Sequence, residues 1–406
     1  MSGQEIPKQV RDDRNVKDDR NIREDRNVRN DRESVLSSEH YLWLTLAHIL
    51  KNRFVLSKTL MERFTAPERV FSSSFEDLCS VEGITPAIAW EIKSFRHPSA
   101  DIEDEIKRIN DTGITLIHFN HRDYPESLKN IYDPPLYFYM NGSITPEDTH
   151  ALAVVGSRSP TPYGRKVSEM LSAELSSAGF TIVSGMARGI DSAAHRTALK
   201  TGGRSIAVLG CGADIAYPRE NENLMREITG NGAIISEFPI GTWPDKKNFP
   251  QRNRIISGLS LGVIVVEAAE KSGSLITARF AMEQGREIFA VPGNINSPMS
   301  QGTNNLIKQG AKAVTSINDI LEEFEQLLTL RPKHGINSMP VKPDSMSDEE
   351  KDIYRTLTLE PKHIYQVITE CGIETRRVIQ LLLNLELNGR IEQLPGSCYV
   401  RSALNP

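Results

Sequence analysis

The chain has 406 residues, of which 39% are hydrophobic and 25% are charged, and its formal net charge is −5 at pH 7. This length predicts two or three domains, and the acidic balance excludes a surface coated with basic residues, so any nucleic-acid site must be a local groove. The four scattered cysteines form no CxxC pair, which indicates a reducing cytosol without disulfides or a zinc site. No apolar stretch is long enough to cross a bilayer, so we expect a cytoplasmic protein with no membrane contact.

Residues 1–36 form a charged tail with four six-residue repeats between positions 11 and 34, RDDRNV, KDDRNI, REDRNV and RNDRES. Acidic and basic residues balance in these repeats and apolar residues are few, which is typical of a disordered polyampholyte. A transient helix and a weak docking segment are the alternatives. The tail is not expected to carry the main activity.

Residues 37–112 are predicted to form a compact helical domain. Its apolar helices, YLWLTLAHIL and VLSKTLMERF, precede two short helical segments that meet at a turn around Gly83. This turn resembles that of a helix-hairpin-helix or sterile-alpha-motif-like unit, in which backbone N–H groups contact a phosphate. A helical bundle with Gly83 as a helix C-cap is favoured, because the turn contains no basic residue.

Residues 113–330 are predicted to form an α/β core with a doubly wound, Rossmann-like sheet. Apolar runs such as Ala151–Val155 and Phe180–Val183 alternate with helical stretches about seven times. Continuous apolar runs indicate parallel strands that are buried on both faces. Residues 113–142 are expected to add strands at the sheet edge. Ligands of such sheets bind beyond the carboxyl ends of the strands.

Residues 331–346 are rich in Pro and Ser and are predicted to be a linker, and residues 347–406 resemble a winged helix. Duplex readout requires a basic recognition helix, but only Arg376 and Arg377 lie at the start of the longest helix. Contact with protein is therefore favoured. The alternative, in which the winged helix is the main duplex-DNA contact and the core is only structural, stays open.

Two Gly-rich turns follow neighbouring predicted strands, and each contains an arginine. Glycine lets a phosphate approach the backbone and arginine supplies a fork of donors. Neither turn has the GxGxxG or GK[ST] pattern, so NAD binding and ATP hydrolysis are poorly supported and no cofactor is expected. Asp191 could fix Arg188 or cap the following helix. The candidate phosphate-binding residues in the two turns are Gly156, Ser157, Arg158, Ser184, Gly185, Arg188 and Gly189.

Basic and aromatic residues alternate in a predicted loop, residues 241–258, and Ser274 lies in a further segment that follows a strand end. Proteins that bind single strands use cations along the phosphates and exposed rings that stack on bases. Phe249 is predicted to be exposed, whereas Trp243 is predicted to pack into the core. Ser274 could cap a helix or bind a phosphate. The candidates in the loop are Lys246, Phe249, Arg252, Asn253 and Arg254.

Candidate catalytic groups are few. His195 is interpreted as structural, Cys211 has no base near it in the sequence, and Glu267 ends a strand where it could serve as an acid. These residues favour a binding protein over an enzyme. The alternative is a nucleotide-processing enzyme that uses the same anion-binding turns.

Several stretches, in order, resemble the DprA/Smf family of bacterial DNA-processing proteins: VVGSR, IVSGMARGIDSAAHRTAL, FPQRNRIISGLS and VPGNINSPMSQGTNNLIKQGA. The resemblance implies a sterile-alpha-motif-like domain, an extended Rossmann-like core and a C-terminal winged helix. It also implies a homodimer that binds single-stranded DNA without sequence preference. Such a protein would protect incoming DNA and load the RecA recombinase onto it during natural transformation or recombination.

The resemblance also implies roles for individual residues. Lys246 would add charge, Phe249 would stack on a base and Arg252 would line the groove. Phosphates would be held by Gly156, Ser157, Arg158, Ser184, Gly185 and Arg188. The core is also similar to lysine-decarboxylase-like proteins that hydrolyse nucleotides, but the comparable stretch 272–278 lacks their PGGxGTxxE pattern. This departure argues against turnover.

Overall fold

A computed structural model describes residues 40–51, 53–95, 99–324, 346–387, 389–394 and 396–402. The charged repeats and nearly all of the predicted linker lie outside these residues. The chain divides into two compact units between Arg108 and Ile109. The domain boundaries at residues 36, 112, 330 and 346 stay predictions.

The first unit is helical. Helix α4 ends before its C-cap Ser80, and Gly83 lies three residues further on, in the turn before α5 at a φ of +88°. The expectation that Gly83 is itself the C-cap is therefore wrong. Ser74 and Thr85 cap the N-termini of α4 and α5 through their hydroxyl oxygens. The helices are α1 (40–50), α2 (Phe54–Phe64), α3 (Pro67–Ser72), α4 (Phe75–Cys79) and α5 (Pro86–Ser94), and α6 (Ala100–Thr112) spans the division.

A nine-stranded sheet forms the centre of the second unit, in the order β1-β2-β6-β5-β4-β3-β7-β8-β9. Strands β3 to β9 run parallel, whereas β1 and β2 are antiparallel and extend the edge beside β6. The predicted doubly wound sheet is confirmed. The strands are β1 (Thr115–His118), β2 (Tyr137–Gly142), β3 (Ala151–Val155), β4 (Thr181–Ser184), β5 (Ser205–Leu209), β6 (Gly232–Ser236), β7 (Gly262–Val265), β8 (Glu287–Ala290) and β9 (Lys312–Ala313).

Both faces of this sheet are covered by helices. In β3, Leu152 and Val154 join one apolar cluster while Ala153 and Val155 join the other, because successive side chains of a strand point to opposite faces. This double burial explains why the central strands read as unbroken apolar runs. The helices are α7 (Glu126–Lys129), α8 (Pro162–Ser177), α9 (Ile190–Lys200), α10 (Glu222–Gly230), α11 (Asn248–Gly258), α12 (Ser274–Glu283), α13 (Gln301–Lys308) and α14 (Asn318–Leu321).

The C-terminal part has its own buried apolar cluster, which includes Ile353, Val378 and Tyr399. A three-stranded antiparallel sheet, in the order β10-β12-β11, packs with three helices, as a winged helix requires. Among the described residues, no helix is both long and apolar enough to cross a membrane. The elements are α15 (Asp348–Thr356), β10 (Lys362–His363), α16 (Ile364–Cys371), α17 (Thr375–Leu387), β11 (Ile391–Leu394) and β12 (Cys398–Arg401).

Candidate nucleic-acid interface

A groove lies at the carboxyl end of the parallel strands, where the strand order reverses. From β3 the chain proceeds through β4, β5 and β6 on one side, and through β7, β8 and β9 on the other. Doubly wound sheets bind ligands at this switch point. The groove, here called groove A, has a volume of about 630 Å³, and its lining includes Gly156, Ser157, Arg158, Asp191, Lys246, Phe249, Arg252, Asn253, Lys271, Ser272 and Ser274.

The first turn presents an arginine to groove A. Arg158 is exposed, and its guanidinium carbon lies 5.3 Å from the centre of the Phe249 ring. Among the described residues no carboxylate lies within ion-pair distance of Arg158 or of the exposed Lys246. The Ser157 carbonyl accepts a hydrogen bond from the Ile190 N–H at 3.2 Å, which anchors the turn on the start of α9. Both cations are thus available to an anionic ligand.

Asp191 shapes the second turn from inside. Its Oδ2 accepts hydrogen bonds from the backbone N–H groups of Gly185 at 3.2 Å and Ala187 at 3.4 Å. Burial raises the pKa of Asp191, and the nearby Arg252 opposes that shift. The alternative in which Asp191 fixes Arg188 is wrong. Arg188 instead donates two hydrogen bonds of 2.7 Å to the Glu220 carboxylate.

Two positions of the second turn require glycine because other atoms approach their backbone too closely for a side chain. A Cβ on Gly185 would lie 2.5 Å from a nitrogen of Arg252, and a Cβ on Gly189 would lie 2.4 Å from the Ser157 carbonyl oxygen. Gly189 also has a φ of +78°, which favours glycine. Ser184, the last residue of β4, is buried, and its hydroxyl donates to the Val154 carbonyl at 2.6 Å. Gly185, Gly189 and Ser184 therefore hold the two turns together, and Ser184 has no access to a ligand.

Arg252 is a buried support of the groove and not an exposed ligand contact. Its side chain is 4% exposed and donates to the carbonyl oxygens of Gly185, at 3.0 Å, and Val208. Burial lowers the pKa of Arg252 to about 10, although Asp191 favours the charged form. Arg252 lines groove A, as the family resemblance implies, and its N–H groups join the second turn to the end of β5. Contact of Arg252 with DNA stays a prediction.

Arg254 is not part of groove A. Its guanidinium is 1% exposed and forms ion pairs with Glu237 at 2.6 Å and Asp133 at 3.3 Å. The predicted loop is helical from Asn248 onward, so Phe249, Arg252 and Asn253 share one face of α11 while Arg254 lies on another. Arg254 is therefore buried away from groove A, and its contact with DNA stays a prediction.

Phe249 is half-buried and not fully exposed as predicted. Its ring centre lies 5.6 Å from that of Tyr217 and 5.9 Å from the Arg252 guanidinium carbon. Trp243 was predicted to pack into the core, but its side chain is 79% exposed. That prediction is wrong because Trp243 lies in an irregular segment before α11, outside the sheet and its covering helices.

The segment after β7 completes groove A. Asn253 donates to the Gly273 carbonyl at 3.3 Å and accepts from Arg252 at 3.2 Å. Ser274, the first residue of α12, is buried, and its hydroxyl lies 2.8 Å from that of Ser272. The Ser272 hydroxyl oxygen also accepts from the Ser274 N–H at 3.3 Å, while the N-cap of this helix is Gly273, which has no side chain. Phosphate binding by Ser274 stays a prediction.

A second groove, here called groove B, adjoins the first. It has a volume of about 860 Å³ and shares Arg158, Ala187, Tyr217 and Phe249 with groove A. Its other lining residues include Asp214, Arg219, Glu222, Arg226, Trp243 and Pro244. The two grooves together form one path past the Phe249 ring.

Comparison with known proteins identifies the family. Residues 115–325 match the family of DNA recombination-mediator protein A, and residues 337–397 match the DprA winged helix domain. The chain belongs to the DNA recombination-mediator protein A family. It is 39% identical over 329 residues to protein Smf of Escherichia coli, which covers 79% of this chain and 85% of that protein. The predicted family membership is confirmed.

Two further relatives agree with this family assignment. The DNA processing protein DprA of Bacillus subtilis is 47% identical over 215 residues, or 53% of this chain and 72% of that protein. The X-ray structure of DNA processing protein A from Streptococcus pneumoniae superimposes with a TM-score of 0.61 and 36% identity, covering 70% of this chain and 97% of that one.

The candidate catalytic groups of this family member are held in structural contacts. His195 is fully buried, its Nε2 accepts from the Met186 N–H at 3.3 Å, and burial lowers its pKa to about 3. Burial raises the pKa of the Cys211 thiol to about 11. The Glu267 carboxylate accepts from the N–H of Thr161 at 2.9 Å and from its hydroxyl at 2.5 Å.

Two aromatic residues of the path were not predicted from the sequence: Tyr217 was not identified, and Trp243 was assigned to the core. A weak signal for Tyr217 was present, since Tyr217-Pro218 lies in the segment after the Gly-Cys-Gly turn that follows β5. For Trp243 the neighbouring Gly241 and Pro244 indicated an irregular surface segment. The partner of Arg188 had no such signal, because Glu220 lies 32 residues further along the chain.

Proposed function

We propose that this protein binds single-stranded DNA in groove A without regard to sequence. One observation carries the proposal: Arg158 and Lys246, two exposed cations without a carboxylate partner among the described residues, line the same groove as the Phe249 ring. Cations bind phosphates of any sequence, and every base offers a face to an aromatic ring. Groove A therefore suits a strand whose bases are accessible.

We infer that groove A acts by binding and not by turnover. A general acid or base needs a pKa near the working pH and an accessible proton. The low pKa of His195 and the high pKa of Cys211 leave both groups neutral near pH 7, and the Glu267 carboxylate is engaged by Thr161. These contacts support a binding protein over the alternative, a nucleotide-processing enzyme.

The partner proteins that we propose are inferred from the family to which the chain belongs. We propose that the protein forms a homodimer, works in the cytoplasm and loads the RecA recombinase onto the bound strand during transformation or recombination. The description of the family as a recombination mediator supports this sequence of events. A strand-exchange assay with RecA and a single-strand binding protein tests it, and an equal exchange rate with and without this protein would contradict it.

The strand-binding proposal is tested by fluorescence anisotropy with labelled oligothymidine at two salt concentrations. Arg158→Ala is expected to weaken binding about ten- to hundredfold, the range for loss of a hydrogen bond to a charged group. Arg122→Ala serves as the matched control, because Arg122 is exposed and lines neither groove. Absence of binding by the unaltered protein, or equal affinity of the two variants, would reject groove A.

The winged helix offers a different candidate surface for duplex DNA. Arg377, at the start of α17, donates to Glu349 of α15 at 2.7 and 2.8 Å. Of the two basic residues at the start of this helix, Arg376 and Arg377, one is therefore already paired with a carboxylate. We therefore propose that removal of residues 340–406 weakens DNA binding only modestly. Complete loss of binding in the truncated protein would favour the winged helix as the main contact.

A further inference from the structure

Groove B contains two aromatic side chains that are exposed to solvent. Trp243 is 79% exposed and Tyr217 is 41% exposed, and both line the groove. Single apolar residues on a surface are ordinary, but aromatic residues gathered on one groove mark a site for a ligand. The Tyr217 ring faces Phe249 of groove A at 5.6 Å and an interplanar angle of 34°. Three aromatic rings therefore line one continuous path.

Groove B is lined by both acidic and basic side chains. Arg188 is paired with Glu220, and Arg226 donates to the Asn223 side chain at 2.5 Å. The acidic side chains of Asp214 and Glu222 line the same groove, and Asp214 accepts from the Gly241 N–H at 2.9 Å. Because several carboxylates line groove B, it attracts phosphates less strongly than groove A, although Arg158 and Arg219 also line it. The aromatic rings of Trp243 and Tyr217 are the groups in groove B on which bases of a nucleic acid could stack.

We propose that groove B receives the continuation of the strand bound in groove A. A base of this continuation stacks on Trp243, and the Tyr217 ring lies along the path between Phe249 and Trp243. This inference rests on the proposed function. The two grooves then differ in their contribution: groove A supplies the unpaired cations Arg158 and Lys246 together with the Phe249 ring, and groove B adds the faces of further aromatic rings. The ligand of groove B is thus a single strand long enough to pass Phe249, of any sequence, and not a free nucleotide.

If the strand continues into groove B, the effect of a Trp243 substitution on affinity should depend on strand length, which binding in groove A alone would not produce. Trp243→Ala is expected to weaken binding of an oligothymidine of about sixteen nucleotides by about five- to hundredfold, the range for one base–aromatic stack. Binding of an oligonucleotide of about four nucleotides should not change, since it fills groove A alone. The slope of affinity against salt should also stay unchanged, because no phosphate contact is removed.

The experiment uses the full chain and four variants. Trp243→Phe keeps a ring and should restore most of the long-strand affinity. Tyr132→Ala is the control, because Tyr132 is 73% exposed and lines neither groove. Arg158→Ala should weaken both lengths. A long strand with abasic sites beyond its first nucleotides keeps the phosphates but removes the bases, and it should bind Trp243→Ala and the unaltered protein equally.

Each other outcome overturns a distinct statement. Equal affinity of Trp243→Ala and the unaltered protein for both lengths, with Arg158→Ala weakened, would remove the strand from groove B and leave the proposed function intact. An equal loss for both lengths would assign Trp243 to the primary site. Trp243-dependent binding of thymidine monophosphate would make groove B a nucleotide site. No binding of either oligonucleotide by the unaltered protein would reject the proposed function itself.

Discussion

Two sets of cations lie close together in the sequence and differ in what they do. Lys246, before α11, is exposed at groove A, whereas Arg252 and Arg254, on the helix, are buried and bonded to carbonyl oxygens or carboxylates. A basic cluster in a sequence therefore does not by itself define a binding surface. The exposed members are free to meet a ligand, and the buried ones hold the surface in shape.

The largest expected effect concerns the buried set. Arg254→Ala should lower the free energy of unfolding by about 3–5 kcal/mol, because it leaves Glu237 and Asp133 without their partner. Urea denaturation measures this loss. The double variant Arg254→Met/Glu237→Gln should recover part of the stability, since it removes charge from both sides. If the Arg254→Ala protein had normal stability and reduced DNA affinity, Arg254 would belong with the cations that contact the ligand and not with the buried ones.

The support of the second turn should also depend on pH. Ser205 donates its hydroxyl to the Ile182 carbonyl, so His195 Nδ1–H donates to Ser205 and the bare Nε2 accepts from Met186. The pKa of His195 is lowered to about 3 by burial, with Arg252 and Arg196 adding to the effect. A fully buried, neutral histidine of this kind stabilises the fold only while it stays unprotonated.

The sign follows from proton binding. Unfolded His195 takes up a proton near pH 6.5 and the folded form only near pH 3, so between these values the unfolded state binds more protons. As the pH is lowered from about 6.5 to about 3, the free energy of unfolding should therefore decrease by up to about 1.4 kcal/mol per pH unit. Asp191, whose pKa is raised by burial, titrates in the opposite sense. His195→Gln is therefore the reference, and an identical pH slope in both proteins would contradict the assignment.

The smallest expected effect concerns the exposed set. Lys246→Ala should weaken binding of all sequences by a similar, few-fold factor and lower the slope of log affinity against log salt by about one. Thermal stability should not change, because Lys246 has no ion pair with the described residues. Loss of stability, or an unchanged salt slope, would show that Lys246 belongs with the buried set.

The sheet was predictable because its strands are buried on both faces, as Ala151–Val155 illustrates. The two turns after β3 and β4 were predictable because glycine and small residues follow each apolar run. The burial of Arg252 and Arg254 was not, because their partners lie far away in the sequence, at Val208 and Asp133 among others. Local composition describes which charges are present, but the tertiary contacts decide which of them face solvent.

The last strand of the sheet, β9, has a consequence for how chains meet each other. It is only two residues long, and Lys312 within it binds Glu322 and Glu323 at 3.2 and 2.6 Å. Long, flat edge strands invite pairing with another molecule, while short and charged ones discourage it. At this edge the protein is therefore protected against aggregation by strand addition.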